Sequence, residues 1–135
     1  MIADAVRSDA LAHSYIKKSL GIELEAPFCG YAIYDTDGIV VGAFAFTNYT
    51  RDNVELTVAA TERLTLRVVR FMVYLAFVDM GCRRITARTR ASNARAIRAI
   101  EKSGAKREGV AREYFNGEDA VLFGLLRNEQ RLIKI

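Results

Sequence analysis

The sequence predicts an α/β fold in which helices flank a mixed central sheet. A strand-like run, a helical run and a second strand-like run follow one another between Val54 and Thr89, which predicts a parallel strand pair joined by a right-handed crossover. Hairpin patterns before and after this unit predict antiparallel strands on both sides of the pair. The chain has 135 residues, and we predict one domain over residues 1–135.

The first third of the chain predicts a helix and a hairpin. Ser8-Asp9 offers an N-cap, apolar residues then recur at helical spacing to Leu20, and Gly21 suits the C-terminal stop. Two strands, Phe28–Tyr34 and Ile39–Thr47, flank an Asp-Thr-Asp-Gly turn.

The crossover unit begins with strict alternation at Val54–Val58, which predicts a strand extending to Ala60. Thr65–Met80 has helical spacing and ends at Gly81, and Arg84–Thr89 predicts the next strand. The expected buried face of this helix consists of Leu66, Val69, Val73, Ala76, Phe77 and Met80.

The last third of the chain predicts a helix and a second hairpin. Asn93 caps the helix Ala94–Ser103, which stops before Gly104. The strands Lys106–Phe115 and Ala120–Leu126 follow, separated by an Asn-Gly turn.

Composition excludes several classes of protein. No apolar run approaches the roughly 20 residues that a membrane-spanning helix needs, and the start lacks the layout of a secretion signal, so we expect a cytoplasmic protein without a membrane partner. Cys29 and Cys82 lack metal-ligand spacing and are expected to be reduced thiols, while His13 is the single histidine, so we predict no metal site. The net charge of +4 suits an anionic small molecule or nucleic acid.

The segment Asn93–Arg112 resembles the GNAT superfamily of N-acetyltransferases. It opens a helix with Asn93 and continues through Glu101-Lys102-Ser103-Gly104 to Glu108-Gly109-Val110-Ala111-Arg112. The likeness is closest to the branch that acetylates the N-termini of ribosomal proteins, and compact relatives of this size occur in phage and prophage genomes. With the crossover unit, it extends over roughly Phe28 to Arg127.

This resemblance implies acetyl-CoA as cosubstrate, held between two splayed parallel strands, here Val54–Ala60 and Arg84–Thr89. Leu56 and Val58 would contact the pantetheine arm through their backbones, as an added strand would. The pyrophosphate would lie at a helix N-terminus, where free N–H groups favour negative charge. Asn93 would add an amide contact to its capping role. The residues of the pyrophosphate loop are Arg63, Leu64, Thr65, Leu66 and Arg67.

The same loop departs from the family pattern at two positions. Leu66 and Val68 stand where the family has small residues, normally glycine, which let the backbone approach phosphate closely. Arg63 and Arg67 offer cationic contacts instead.

Glu55 is the candidate general base. Strand alternation places it on the face opposite Val54 and Leu56, where a carboxylate would serve to deprotonate an amine. Tyr114 and Glu118 near the last hairpin are the candidate contacts to the acceptor.

The expected reaction is direct acetyl transfer to a primary amine, which is a protein N-terminus, a lysine or a small amine. The enzyme is expected to be a monomer or homodimer. The alternative is a non-catalytic GNAT-like module that binds a protein partner. Nucleic-acid binding through the arginines of Arg83–Arg98 ranks last, since that stretch lacks the interleaved aromatic residues of a single-strand binder.

Overall fold

Seven strands form one mixed sheet in the computed structural model of the protein, which describes residues 4–61 and 63–135. The strands are β1 (Asp4–Arg7), β2 (Cys29–Tyr34), β3 (Val40–Thr47), β4 (Asn53–Ala60), β5 (Arg84–Arg90), β6 (Lys106–Phe115) and β7 (Glu118–Leu126). The helices are α1 (Asp9–Leu20), α2 (Leu66–Tyr74), which continues as a π-helical turn over Leu75–Asp79, and α3 (Ala94–Lys102). The strand order is β1-β2-β3-β4-β5-β7-β6, with β4 and β5 parallel and the other described neighbours antiparallel. The predicted mixed α/β fold is confirmed.

Each face of the sheet carries a hydrophobic core. The larger core packs α2, the π-helical turn and α3 against side chains that include Phe44 and Val54. The smaller core packs α1 against small side chains that include Ala43 and Ala59. α1 packs on β2, β3 and β4, while α2 and α3 lie on the opposite face, and the end of α1 reaches β5 only where the Leu20 carbonyl accepts from Arg90 (3.5 Å).

The ends of most predicted elements agree with the structure to within two residues. Ser8 caps α1 by accepting a hydrogen bond from the Leu11 N–H (3.3 Å), and Gly21 ends it with φ 70°. No strand was predicted at β1, which pairs antiparallel with β2 at the edge of the sheet. Its side chains are mostly exposed, so its sequence lacks the alternation that marks a half-buried strand.

The helical run after β4 differs from its prediction in two ways. Thr65–Met80 was predicted as one regular helix, but its last part is a π-helical turn in which the Met80 N–H bonds to the Leu75 carbonyl (2.8 Å). The start of the predicted buried face is also wrong, because Leu66 is 53% exposed whereas Val68 is only 1% exposed. The buried positions are Val68, Met72, Val73, Leu75, Ala76 and Phe77.

The residues are apolar on more than one side of this run, so spacing alone allowed more than one stripe. None of the helices within residues 4–61 and 63–135 has both the length and the apolarity needed to cross a membrane.

Gly104 occupies a position that no side chain fits. Its φ is +104°, and a Cβ placed on it would overlap the backbone carbonyl oxygen of Glu129. We expect Gly104→Ala to lower the free energy of unfolding by about 2–3 kcal/mol, measured by chemical denaturation. Gly117 has a similar φ of +92°, but a Cβ added there would have no atom within 4 Å, so Gly117→Ala should cost only about 1 kcal/mol. Equal losses would contradict the steric account.

Candidate functional site

The parallel strands β4 and β5 are paired along only part of their length. The register ends where Leu56 lies opposite Ala87. Beyond that point β4 continues to Ala60 beside β3, while β5 continues to Arg90 beside β7. Beyond this point β4 is paired only with β3, and β5 only with β7. A gap therefore opens between the carboxyl ends of β4 and β5.

Hydrogen-bond alternation identifies which backbone groups face this gap. The Thr61 N–H donates to the carbonyl of Val41, a residue of β3 (2.9 Å). Along an antiparallel strand, the backbone N–H and C=O groups of successive residues point alternately toward and away from the partner strand. Val58 and Ala60 therefore direct their N–H and C=O groups toward β5, where the described register gives them no partner. Leu56 points the same way but still has Ala87 opposite, so the open edge begins at Val58.

The loop over residues 63–67 leads into the start of α2, at the carboxyl end of β4. Arg63 is exposed and Leu64 is half-buried against the larger core. The Thr65 hydroxyl caps the helix by accepting from the Val68 N–H (3.2 Å). The side chains of Leu66 and Arg67 are both exposed in the first turn, which contains no acidic residue.

Leu66 and Val68, which stand where the family has small residues, direct their side chains differently. The Val68 side chain is buried in the larger core and therefore does not cover the N-terminus of α2. The Leu66 side chain is exposed at the N-terminus of α2. The first-turn N–H groups of Leu66 and Arg67 have no acceptor within residues 4–61 and 63–135, and free N–H groups at the start of a helix favour negative charge.

Asn93 lies at the start of α3, and its side chain accepts from the Ala96 N–H (3.1 Å). Since α3 follows β5 as α2 follows β4, both helix N-termini lie at the same edge of the sheet. The structure thus brings the loop over residues 63–67, the open part of β4 and Asn93 to one edge.

Glu55 lies on the α1 side of β4, opposite to Val54, as alternation predicts. Its side chain is 18% exposed, and its Oε1 pairs with the Arg88 guanidinium of β5. Oε2 accepts from the side-chain amide of Asn48, which follows β3. A carboxylate offers roughly four acceptor positions, so two hydrogen bonds leave capacity for an incoming donor.

Two further arginines of β5 pair across strands on the same side. Arg84 donates to Glu108 of β6 (Nη1–Oε2 3.0 Å) and to the Thr86 hydroxyl (2.9 Å). Arg90 donates to Glu118 of β7 (3.3 Å). We call the surface formed by these side chains with Glu55 and Arg88 the open face. The hydrogen bonds from Arg84 hold the pKa of Glu108 below its ordinary value.

Of the two predicted acceptor contacts, Glu118 is already engaged. It accepts from the backbone N–H of Ser92 (2.9 Å) as well as from Arg90. Hydrogen bonding to Ser92, with a smaller effect from Arg90, lowers the pKa of Glu118.

Tyr114 is 48% exposed, and the Arg88 guanidinium lies over its ring, 5.3 Å from the centroid. Its neighbour Glu113 has φ 55°, within the irregular register between Ala111 and Phe115 that interrupts β6. Through Arg88, the structure brings Tyr114 to the Glu55 carboxylate.

The cysteines and the histidine lie outside this arrangement. Cys29 and Cys82 are free thiols, and burial raises the pKa of Cys82. His13 lies on α1 beside Glu23 (3.0 Å). Within the described residues, no group of three or more histidine, cysteine or acidic side chains is placed to hold a metal.

Arg88 and Asn48 were not predicted as site residues. The arginines were considered only as a possible nucleic-acid patch, yet Arg84, Thr86, Arg88 and Arg90 occupy alternate positions of one strand. This period of two places all four side chains on one face, a signal present in the sequence. The contact between Arg88 and Glu55 needs the register of β4 against β5 as well.

Residues 2–106 match the family described as the acetyltransferase (GNAT) domain. A chimera of the spermidine N-acetyltransferase SpeG from Vibrio cholerae and hSSAT has a similar fold, with a TM-score of 0.75 at 12% identity over 95% of this chain and 98% of that chain. Spermidine/spermine N-acetyltransferase SpeG from Vibrio cholerae in complex with manganese ions gives 0.74 at 13% identity, over 93% and 92%. Such low identities establish likeness of fold alone. No curated protein matches the sequence.

Proposed function

The chain belongs to the acetyltransferase (GNAT) family, and from this premise we propose that it transfers an acetyl group from acetyl-CoA directly to a primary amine. The parting of β4 and β5 after Leu56 is the observation that carries the proposal. It leaves backbone donors and acceptors open beside a helix N-terminus, with a carboxylate on the same strand.

The residues at this edge fit acetyl-CoA. Val58 and Ala60 offer backbone groups to the amides of the pantetheine arm, as a strand edge does to an added strand. The first turn of α2, with the exposed Arg67, offers N–H groups and positive charge to the pyrophosphate. Bound there, acetyl-CoA supplies an acetyl group activated as a thioester.

Glu55 is the base in this proposal. As the amine nitrogen forms its bond to the acetyl carbon and the carbon–sulfur bond breaks, Glu55 accepts the proton that the nitrogen loses, directly or through one water. The departing sulfur takes a proton from solvent. The open N–H of Val58 is the donor that would stabilise the charge developing on the carbonyl oxygen.

The segment Asn93–Arg112 supports the branch that acetylates protein N-termini, in a compact phage- or prophage-type member. We place the enzyme in the cytoplasm as one domain, a monomer or homodimer. The side chains of β6 are mostly exposed, so the sheet beyond β5 leaves room for an acceptor as large as a protein N-terminus.

Calorimetric titration with acetyl-CoA tests this proposal, since it asks whether Leu66 at the helix entrance tolerates a pyrophosphate. We expect saturable binding, followed by release of CoA thiol once an amine is added. Absence of binding at millimolar acetyl-CoA would instead support the non-catalytic module.

Arg67→Ala should weaken acetyl-CoA binding by about two- to fivefold, an effect typical of one exposed ion pair. Arg67 is 64% exposed at its side chain, and its described partner, Asp4, is 3.7 Å away, so it can turn toward an anion. The difference should shrink as salt is added. Arg112→Ala removes an exposed arginine of β6, and its binding constant should equal that of the unaltered protein. A loss of the same size in both variants would contradict a local contact.

A further inference from the structure

We infer that the acceptor of this enzyme is an amine that carries a carboxylate a few ångströms from its nitrogen, and not a polycation. The inference rests on the proposed function and concerns the open face. Its basis is the pairing of every carboxylate of that face with an arginine of β5.

The three carboxylates are already neutralised. Glu108 is bonded to Arg84, Glu55 to Arg88, and Glu118 to Arg90. An incoming polyamine would meet three guanidinium groups and would have to displace one of them from its partner. Like charges placed together are repulsive, so this face disfavours a multiply charged cation.

Arg88 differs from Arg84 in the donors it leaves available. Arg84 uses Nε for Thr86 and both Nη atoms for Glu108. Arg88 uses Nη1 for Glu55, and its Nε and Nη2 have no hydrogen-bond partner among the residues that the structure describes. Its guanidinium also lies over the Tyr114 ring, with its carbon 5.3 Å from the ring centroid. A fixed guanidinium with two spare donors suits a carboxylate.

An acceptor with both groups matches the Glu55–Arg88 pair without breaking it. The amine donates to the remaining acceptor capacity of Glu55, and the carboxylate accepts from the spare donors of Arg88. No charge is then left without a partner on the half-buried face. Two sources provide this chemistry: a free amino acid, and a peptide whose N-terminal residue is acidic.

Matched acceptors distinguish these sources. Initial rates of thiol release would be compared for alanine against alaninamide, for an amidated peptide beginning with Asp against its Asn counterpart, and for spermidine. We expect the carboxylate member of at least one pair to have a kcat/KM at least about tenfold higher, as for a hydrogen bond to a charged group. The pair that shows the preference identifies the source.

The ratio within that pair is the readout for Arg88, because a general loss of structure would lower both rates together. Arg88→Met should bring the ratio close to one, and Arg88→Lys should keep part of it. Arg84→Met removes an arginine from the same strand and face and should leave the ratio unchanged. Spermidine or the amide acceptors reacting as well as the acids, or a ratio unchanged in Arg88→Met, would overturn the inference.

If acetyl-CoA binds but no acceptor reacts, the proposed function fails separately. Equilibrium binding of the same pairs, followed by NMR titration of the unaltered protein and Arg88→Met, then decides the inference. Preferential binding of the carboxylate member that disappears in Arg88→Met supports it, and equal binding of both members refutes it.

Discussion

Glu55→Gln is expected to lower the rate of acetyl transfer by about 10²- to 10⁴-fold, the usual contribution of a general base. Glutamine has the size of glutamate and can still accept a hydrogen bond from Arg88, but it cannot take a proton from an amine. The rate is measured as thiol release at saturating acetyl-CoA. The binding constant of acetyl-CoA, measured by calorimetry, should remain the same, because the contacts proposed for acetyl-CoA are backbone groups of Val58 and Ala60 and the first turn of α2, and do not include the Glu55 carboxylate.

Glu108→Gln is the matched control, since Glu108 also lies on the open face and bonds to an arginine of β5. Its rate should stay within about threefold of the unaltered enzyme, in line with a surface ion pair of small energy. A Glu55→Gln enzyme that retains its turnover would remove Glu55 from the mechanism. Parallel losses in both variants would indicate damage to the open face as a whole.

Phe44→Ala is expected to lower the free energy of unfolding by about 3–5 kcal/mol. Phe44 is completely buried in β3, stacks on Tyr31 with 4.9 Å between ring centroids, and meets Phe46 edge-on at 5.9 Å. Truncation removes these contacts and leaves a cavity in the larger core. The midpoint of denaturant unfolding measures the loss.

Val110→Ala provides the comparison, because Val110 is 61% exposed on β6. Its free energy of unfolding should change by no more than about 0.5 kcal/mol. Phe44 also lies opposite Val58 in the β3–β4 register, so its ring lies behind the open edge. A Phe44→Ala protein as stable as Val110→Ala would contradict the placement of the larger core.

Local chemistry explains why most of the fold was predictable. Ser8 and Asn93 cap the helices they were expected to cap, and β6 has the predicted bounds. These features depend on residues close in sequence. β1 escaped prediction because its exposed residues form a strand only through pairing with β2, a tertiary contact.

The candidate site divides in the same way. The face on which Glu55 lies follows from alternation within one strand, and it was predicted correctly. The partner of Glu55 did not follow, since Arg88 is 33 residues away and reaches it only in the parallel register. Whether Leu66 is buried depends on which side of α2 packs against the sheet. Because α2 is apolar on more than one side, tertiary contacts decide this.

The incomplete pairing of β4 and β5 divides the sheet into two blocks, β1–β4 and β5–β7, joined along a short seam. Within each block, neighbouring strands are paired over most of their length, whereas backbone hydrogen bonding across the seam is confined to its first half. The ion pair of Glu55 with Arg88 crosses the seam just where the backbone bonds end, and so acts as a tie between the blocks. A molecule bonded to the open edge of β4 would extend the ladder into the gap. The seam is therefore where we expect occupancy to stiffen the protein most.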